Sequence, residues 1–234
     1  MPSRPSKRQR MSLVLAIDCA ISGLGVAVVR DGACLASLRE EGRDQAARLL
    51  PAVASVLRDS RLSRNEVSLI AVTVGPGSFT GVRVGLAAAR GLAVGLGVPL
   101  AGLVTTSVLK AQAVARDRLV VAAIDSRLGD WFCAIGEEAA PFAATTAELA
   151  ERLRGRASVI VGPDVGPLAA QLAAAGVDAT AEVASVDPVV VARLGLGSGV
   201  EAWRVRNESE GLPRPLYLRG VSVTLADGAR RTVD

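Results

Sequence analysis

A glycine-rich segment, VGPGSFTGVR at residues 74–83, is the part of the sequence best suited to bind an anion. It joins a buried apolar run to a helical pattern, and backbone N–H groups at such a helix start can surround a phosphate. Thr80 is the expected helix cap. The G-K-[ST] ending of a Walker A loop is missing. Glycines also occur in tight strand-to-helix turns, where the lack of a side chain permits close packing of the backbone. Anion binding and close packing therefore both stay open as interpretations. The candidate anion or nucleotide ligands on this segment are Gly75, Gly77, Ser78, Thr80 and Gly81.

Two aspartates, Asp18 and Asp125, each end an apolar run that predicts a strand. In a cleft between two halves they could hold a metal-bound water or orient a phosphate, but each could equally cap its own turn. The chain contains no histidine, which excludes Ser-His-Asp and Cys-His nucleophiles and His-ligated zinc. Cys19, Cys34 and Cys133 form no C-x-x-C pair, so we expect small core residues and no metal site.

The charge of the chain is concentrated in its first ten residues. The chain has 27 basic and 23 acidic residues, and Arg4, Lys7, Arg8 and Arg10 supply the whole excess. We interpret residues 1–10 as a disordered basic tail or a mis-assigned start, in preference to an RNA-contacting arm. The rest of the chain is neutral, and an aromatic content of 3% provides few rings for stacking on bases.

Hydrophobic spacing predicts the order β-β-β-α-β-α-β for the first hundred residues. No charged residue occurs between Arg90 and Lys110, but Gly95, Gly97 and Pro99 interrupt that stretch, so we predict a helix end, a turn and a strand there and no membrane span. The predicted elements are strands at residues 13–18, 25–30, 34–38, 69–74 and 99–103, an amphipathic helix at residues 43–59 and a helix at residues 82–96.

A second unit is predicted to begin near Thr105 and repeats the opening of the first. Ala16-Ile17-Asp18 and Ala123-Ile124-Asp125 each precede a turn and another apolar run. This repetition predicts an α/β fold of two similar halves related by a pseudo-twofold axis, although a strand ending in Asp is common enough to arise by chance. The later predicted elements are helices at residues 145–153, 167–175 and 189–194, the last one capped by Asp187, and a strand at residues 158–161.

The helix predicted at residues 82–96 is apolar nearly all round. Its outer face is either an interface, together with the helix at residues 43–59, or is buried beneath the second half of the chain. The candidate interface residues on the two helices are Leu49, Leu50, Val53, Leu57, Arg83, Leu86, Ala87 and Arg90.

The segment GPGSFTGVR at residues 75–83, followed by Gly85 and by GLA at residues 91–93, resembles the signature of the TsaB (YeaZ) family. Shorter matches extend the resemblance from about residue 13 to residue 219. They are LAID at residues 15–18, Arg43 with LLP at residues 49–51, AAIDSR at residues 122–127 and PLYLR at residues 215–219.

This resemblance implies an α/β fold of two RNase H-like domains of the actin, hexokinase and Hsp70 (ASKHA) type, with the second domain reduced. The N-terminal domain would comprise residues 11–104 and be completed by residues 187–220. Residues 105–186 would form the smaller second domain, and residues 221–234 a flexible tail.

The resemblance also implies a cytoplasmic, non-catalytic scaffold subunit that activates TsaD. In that family the complex transfers threonylcarbamoyl to the adenosine beside the anticodon of tRNAs that read ANN codons. TsaD is the catalytic paralogue, TsaE an ATPase and TsaC the supplier of the activated group, and a TsaB-like chain alone can form a homodimer. ATP and metal are then expected on the partner subunits, tRNA is reached only through the complex, and no membrane is involved.

Two residues depart from the family pattern. Gln45 stands where many relatives have histidine, and Cys19 stands where threonine is usual, which removes a hydroxyl from the place where kinases of this superfold hold phosphate. The alternative function is a small phosphotransferase of the same fold that uses Asp18 and the loop at residues 75–81. Neither a second phosphate loop nor a metal ligand set is recognisable for it.

Overall fold

The computed structural model describes residues 12–114, 117–137 and 140–218, and the backbone of residues 221–224 and 230–233. The tail predicted at residues 1–10 lies outside the described residues.

The N-terminal sheet has the strand order β3-β2-β1-β4-β5. Its first strand is antiparallel to β2 and parallel to β4. All residues of β1 and β4 are buried, as expected of strands covered on both faces, which explains their unbroken apolar runs. The strands are β1 (Leu13–Asp18), β2 (Leu24–Arg30), β3 (Ala33–Glu40), β4 (Leu69–Thr73) and β5 (Leu100–Leu103).

Two long helices cover one face of this sheet. Helix α1 (Gln45–Asp59) packs on β2 and β3, and helix α2 (Phe79–Leu96) packs on β4 and β1. Helix α2 ends at Gly97, whose left-handed φ of 65° suits glycine, so the predicted helix end, turn and strand are confirmed.

Among the described residues, one helix is long and apolar enough by length and composition to cross a membrane, and it is α2, with a mean hydropathy of 1.3. Its buried side, which includes Leu86, Ala89 and Ala93, packs into the N-terminal core, as does a core helix of a globular domain.

The C-terminal sheet repeats the topology of the first. Its order is β8-β7-β6-β9-β10, and β6 is antiparallel to β7 and parallel to β9. The predicted pair of similar halves is therefore confirmed. Helices α4 (Thr146–Leu153) and α5 (Gly166–Ala174) are about half as long as α1 and α2, so this half is the reduced one. The strands are β6 (Leu119–Asp125), β7 (Trp131–Ile135), β8 (Phe142–Ala144), β9 (Ser158–Gly162) and β10 (Ala179–Val183).

The two sheets exchange their covering helices. Helix α3 (Thr105–Gln112) follows the N-terminal sheet but packs on β6, β7 and β9. Helix α6 (Pro188–Gly197) follows the C-terminal sheet but packs on β1, β2 and β4. The Asp187 carboxylate accepts a hydrogen bond from Val189 N at 2.8 Å, as predicted for the cap of this helix. A shared apolar core joins the halves and includes Val14, Ala71, Leu109, Ile124, Val161, Val191 and Trp203.

The chain after α6 was only partly predicted. Helix α7 (Val200–Glu210) contacts β5, and Trp203 is its one buried residue, so the sequence there shows no apolar period. Farther on, β11 (Val221–Thr224) pairs with β12 (Arg230–Val233), within the segment that was expected to be a flexible tail. That segment therefore contains a two-stranded antiparallel sheet.

Helix α7 covers the exposed edge of β5 with a side chain. Leu100 N donates to Asn207 Oδ1 at 2.7 Å, and Asn207 Nδ2 donates to Leu100 O at 3.0 Å. The amide thus occupies the place that a neighbouring strand would take.

We expect Asn207→Ala to lower the free energy of unfolding by about 1–3 kcal/mol, because two backbone groups of β5 lose their partners. Urea unfolding measures this change. Glu208→Ala, at an exposed position of the same helix, should stay within about 0.5 kcal/mol of the unsubstituted chain. Equal effects of the two substitutions would contradict this role for Asn207.

Candidate functional site

The glycine-rich loop lies directly against the turn that follows β1. Ser78 N donates to Ala20 O at 2.6 Å. A Cβ atom at Gly77 would lie 2.0 Å from Ala20 O, and a Cβ atom at Gly81 would lie 2.0 Å from Cys19 O. Only glycine permits these approaches, because each neighbour is a backbone carbonyl that side-chain motion cannot move aside.

The polar groups at the start of α2 bind one another. Ser78 Oγ accepts a hydrogen bond from Gly81 N at 3.2 Å, and Ser78 O accepts one from Val82 N at 2.9 Å. The expectation that Thr80 caps the helix is wrong, since α2 begins at Phe79 and Ser78 is its cap. Two of the N–H groups that an anion nest would need, those of Ser78 and Gly81, already have partners, which favours the close-packing interpretation of the motif.

Asp18 is buried at the end of β1. Its Oδ1 atom accepts hydrogen bonds from Thr73 Oγ1 at 2.5 Å and from Ala20 N at 3.1 Å. Burial raises the pKa of Asp18, and the two hydrogen bonds and the charge of Arg39 oppose that rise. Asp18 therefore caps its own turn, which was one of the two interpretations of this residue.

Asp18 also lines a cleft of about 190 Å³. Neither Asp125 nor the loop glycines belong to its lining, so the structure does not bring these candidates together in this cleft. Asp125 caps its own turn, because its Oδ1 accepts a hydrogen bond from Arg127 N at 2.7 Å. No group of three or more acidic or cysteine side chains is placed to hold a metal ion within the described part of the chain. The lining residues are Asp18, Ile21, Ser22, Leu24, Gly25, Arg39, Glu40, Glu41, Ser185 and Val186.

The two residues that depart from the family pattern have structural roles here. Cys19 is buried, and burial, with the charge of Asp18, raises the pKa of its thiol to about 12, so the thiol stays protonated. Gln45 is buried as well, and its Nε2 donates to Gly23 O at 3.0 Å. Cys133 is also a core residue, as predicted, but Cys34 is exposed on β3.

Three of the candidate interface residues are core residues. Leu49, Val53 and Leu86 are 1%, 4% and 2% exposed, and they pack into the core between the helices and the N-terminal sheet. Their assignment to an interface is wrong, because a partner cannot reach side chains that the sheet already covers. The helical period identifies an apolar side of α1, but it does not show which of the apolar residues pack against the sheet and which face solvent.

Two further candidates, Arg83 and Arg90, bind the chain's own C-terminal segment, defined as residues 211–218. Arg90 Nε donates to Pro213 O at 3.1 Å, and Arg90 Nη2 donates to the same oxygen. Arg83 Nε donates to the Tyr217 hydroxyl at 2.8 Å. These partners lie more than a hundred residues away in the sequence, so no local pattern indicates them.

The remaining candidates are accessible. Leu50 is 56% exposed, Ala87 is exposed and Leu57 is half-buried. Gly91 and the 73% exposed Val94 continue the line of Ala87 along α2 at helical spacing. Helix α1 packs against α2, and we call these five residues the α1–α2 face. Val94 was missed among the interface candidates, although its spacing from Ala87 indicates it.

A family model described as TsaD, tRNA N6-adenosine threonylcarbamoyltransferase, matches residues 39–192, which is more than half of the chain. The tRNA threonylcarbamoyladenosine biosynthesis protein TsaB of Escherichia coli is 40% identical over 124 residues, which are 52% of this chain and 53% of that protein. The chain belongs to the TsaB (YeaZ) family. The TsaB protein of Bacillus subtilis is 34% identical over 117 residues, which are 50% of this chain and 51% of that protein. The chain thus matches about half the length of these relatives.

The fold comparison extends over nearly the whole chain. YeaZ from Pseudomonas aeruginosa superposes with a TM-score of 0.70 at 24% identity, over 89% of this chain and 100% of that one. The family model and the TsaB relatives confirm the family resemblance. The superposition and the two sheets of the same topology confirm the predicted α/β fold of two RNase H-like domains.

We expect Gly81→Ala to lower the free energy of unfolding by more than about 3 kcal/mol, because its Cβ atom would overlap Cys19 O. Gly95→Ala is the matched control on α2, where nothing lies within 4 Å of the added atom. It should stabilise the chain by up to about 1 kcal/mol through helix propensity. Urea unfolding of both variants measures the difference, and a tolerated Gly81→Ala would contradict the close-packing interpretation.

We expect Asp18→Asn to stabilise the chain at neutral and alkaline pH. Burial raises the pKa of Asp18 above its ordinary value of 3.8, so the folded chain binds this proton more tightly than the unfolded chain. Stability from this group is therefore complete at low pH and is lost as the pH rises through the raised pKa. Asparagine keeps the oxygen acceptor and cannot ionise.

Urea unfolding from about pH 8 to about pH 4 tests this expectation, because the advantage of Asp18→Asn should shrink as the pH falls. A difference that does not change with pH would show that Asp18 stays charged or stays neutral throughout.

Proposed function

We propose that this chain is a non-catalytic scaffold subunit of the complex that transfers threonylcarbamoyl to the adenosine beside the anticodon of ANN-decoding tRNAs, where it activates TsaD. One observation carries the proposal. A phosphotransferase of this fold would turn this loop toward phosphate. In this chain the loop packs against the backbone of Cys19 and Ala20 so closely that a Cβ atom at Gly77 or Gly81 would lie 2.0 Å from a carbonyl oxygen. Relatives in the family are named as biosynthesis proteins of this tRNA modification.

The α1–α2 face is the proposed contact with TsaD. It presents Leu50, Ala87 and Val94 to solvent with no charged side chain among its five members. Uncharged side chains that include small residues on a helix allow close approach by another apolar helix, and burial of Leu50 and Val94 would stabilise the contact. The same face would serve a homodimer when the chain is alone.

The remaining parts of the complex follow from the family resemblance. It implies that ATP and metal belong on the partner subunits TsaD and TsaE. TsaC supplies the activated threonylcarbamoyl group. The neutral charge of the chain beyond residue 10 supports contact with tRNA only through the complex. The proposed location is the cytoplasm, where tRNA modification takes place.

We expect Ala87→Glu to weaken binding to the cognate TsaD by about tenfold or more, because the interface would have to desolvate a carboxylate. The free energy of unfolding of this variant should stay within about 0.5 kcal/mol of that of the unsubstituted chain, because Ala87 is exposed. Ala173→Glu makes the same change at an exposed position of α5 and should bind normally. Calorimetric titration with TsaD measures the Kd of the unsubstituted chain and of both variants.

Threonylcarbamoyl transfer to tRNA by TsaC, TsaD and TsaE, with and without this chain, then tests the function itself. Transfer should require the chain, be reduced with Ala87→Glu and be kept with Ala173→Glu and Asp18→Asn. A folded but inactive Asp18→Asn variant would instead support a working cleft and the phosphotransferase alternative. Normal binding and transfer with Ala87→Glu would remove the α1–α2 face from the proposal.

A further inference from the structure

Two aromatic rings and one guanidinium form an exposed cluster at the start of α2. The guanidinium carbon of Arg83 lies 3.6 Å from the ring centroid of Phe79 and 5.6 Å from that of Tyr217. The two ring centroids are 5.6 Å apart. Phe79 is 42% and Tyr217 is 40% exposed, so the rings contact the arginine and still present much of their surface to solvent. Large aromatic side chains left exposed in this way are a common feature of binding surfaces.

The guanidinium of Arg83 is held in place and is only partly used. Its Nε atom donates to the Tyr217 hydroxyl at 2.8 Å. Over the described ranges of the chain, no hydrogen bond or ion pair occupies its terminal nitrogens Nη1 and Nη2. An arginine fixed by stacking loses little side-chain freedom on binding, and its outer N–H groups match the two oxygens of a carboxylate.

Tyr217 is itself positioned by the C-terminal segment. Leu216 N donates to Val74 O at 2.7 Å, next to the glycine-rich loop, and Arg90 binds Pro213 O. A Cβ atom at Gly75 would lie 2.9 Å from Leu216 O. Two family motifs that are far apart in the sequence, at residues 75–83 and 215–219, therefore contribute to one surface, to which the second motif provides Tyr217.

The surroundings of Arg83 select the kind of ligand. Arg83 and Arg90 are the only charged residues of α2, and Arg90 is already bound to a carbonyl. Nucleic acids are bound by several cations together, whereas an arginine framed by aromatic and apolar groups is typical of the centre of a protein interface. The exposed line of Ala87, Gly91 and Val94 continues from Arg83 along the same helix.

We infer that the cluster of Phe79, Arg83 and Tyr217 is the docking point for an Asp or Glu side chain of the protein that binds the α1–α2 face. The carboxylate pairs with the terminal nitrogens of Arg83, beside the two rings that hold the guanidinium in place. This inference rests on the proposed function for the identity of the protein, which is TsaD.

The test compares Arg83→Gln with Arg152→Gln by calorimetric titration with TsaD at two salt concentrations. Arg152 is the matched control, because it is exposed and stacked on Phe142 at 4.2 Å but belongs to the C-terminal half. We expect Arg83→Gln to raise the Kd about tenfold or more and to reduce its dependence on salt. Arg152→Gln should bind like the unsubstituted chain.

Tyr217→Phe adds a test of the positioning. It keeps the ring but removes the hydroxyl that holds Arg83 Nε, so we expect a weaker effect of about two- to fivefold on the Kd. Thermal unfolding of each variant should match that of the unsubstituted chain, because the substituted side chains are exposed, which separates loss of docking from loss of folding.

The outcomes are distinguishable. If the unsubstituted chain does not bind TsaD, the proposed function fails and this inference fails with it. If the unsubstituted chain binds and Arg83→Gln binds equally well, the inference alone is overturned. If Arg83→Gln keeps its affinity for TsaD but the assembled complex loses affinity for tRNA, Arg83 contacts phosphate and the carboxylate assignment is overturned.

Discussion

The contact between the glycine-rich loop and the turn after β1 determines where helix α2 begins and which of its sides is exposed. Gly77 and Gly81 have no Cβ atom, so the carbonyl groups of Ala20 and Cys19 can occupy the space that a side chain would take. That approach sets where α2 begins, because Ser78, the cap of α2, donates its N–H to Ala20 O. Once the start of α2 is set, its period decides which side faces the sheet and which side faces solvent. A motif that resembles a phosphate loop thus acts here by fixing the position of a helix.

The fold was largely predictable because its signals are local and strong. Unbroken apolar runs indicated β1 and β4, and the repeated Ala-Ile-Asp at Asp18 and Asp125 indicated two similar halves. Elements without such signals were missed. Strand β8 has three residues, β10 is largely exposed, and α7 buries only Trp203, so none of them has the apolar period on which prediction depends.

The candidate site was less predictable, because residue type does not fix burial or long-range partners. Leu49 and Leu50 are neighbours of the same type, yet one lies in the core and the other faces solvent. The partners of Arg83 and Arg90 are 134 and 123 residues away in the sequence. Prediction of those bonds required the path of the C-terminal segment, which no spacing in the sequence encodes.

The exchange of α3 and α6 between the sheets has a mechanical consequence. Helix α6 is joined in sequence to the C-terminal sheet and packed on the N-terminal one, and α3 has the opposite arrangement. A rotation that separated the two halves would therefore expose apolar residues of the shared core, such as Val108 and Val191, to water. Each sheet is thus covered by a helix that follows the other sheet in the sequence. The shared core therefore opposes a rotation of one half of the chain relative to the other.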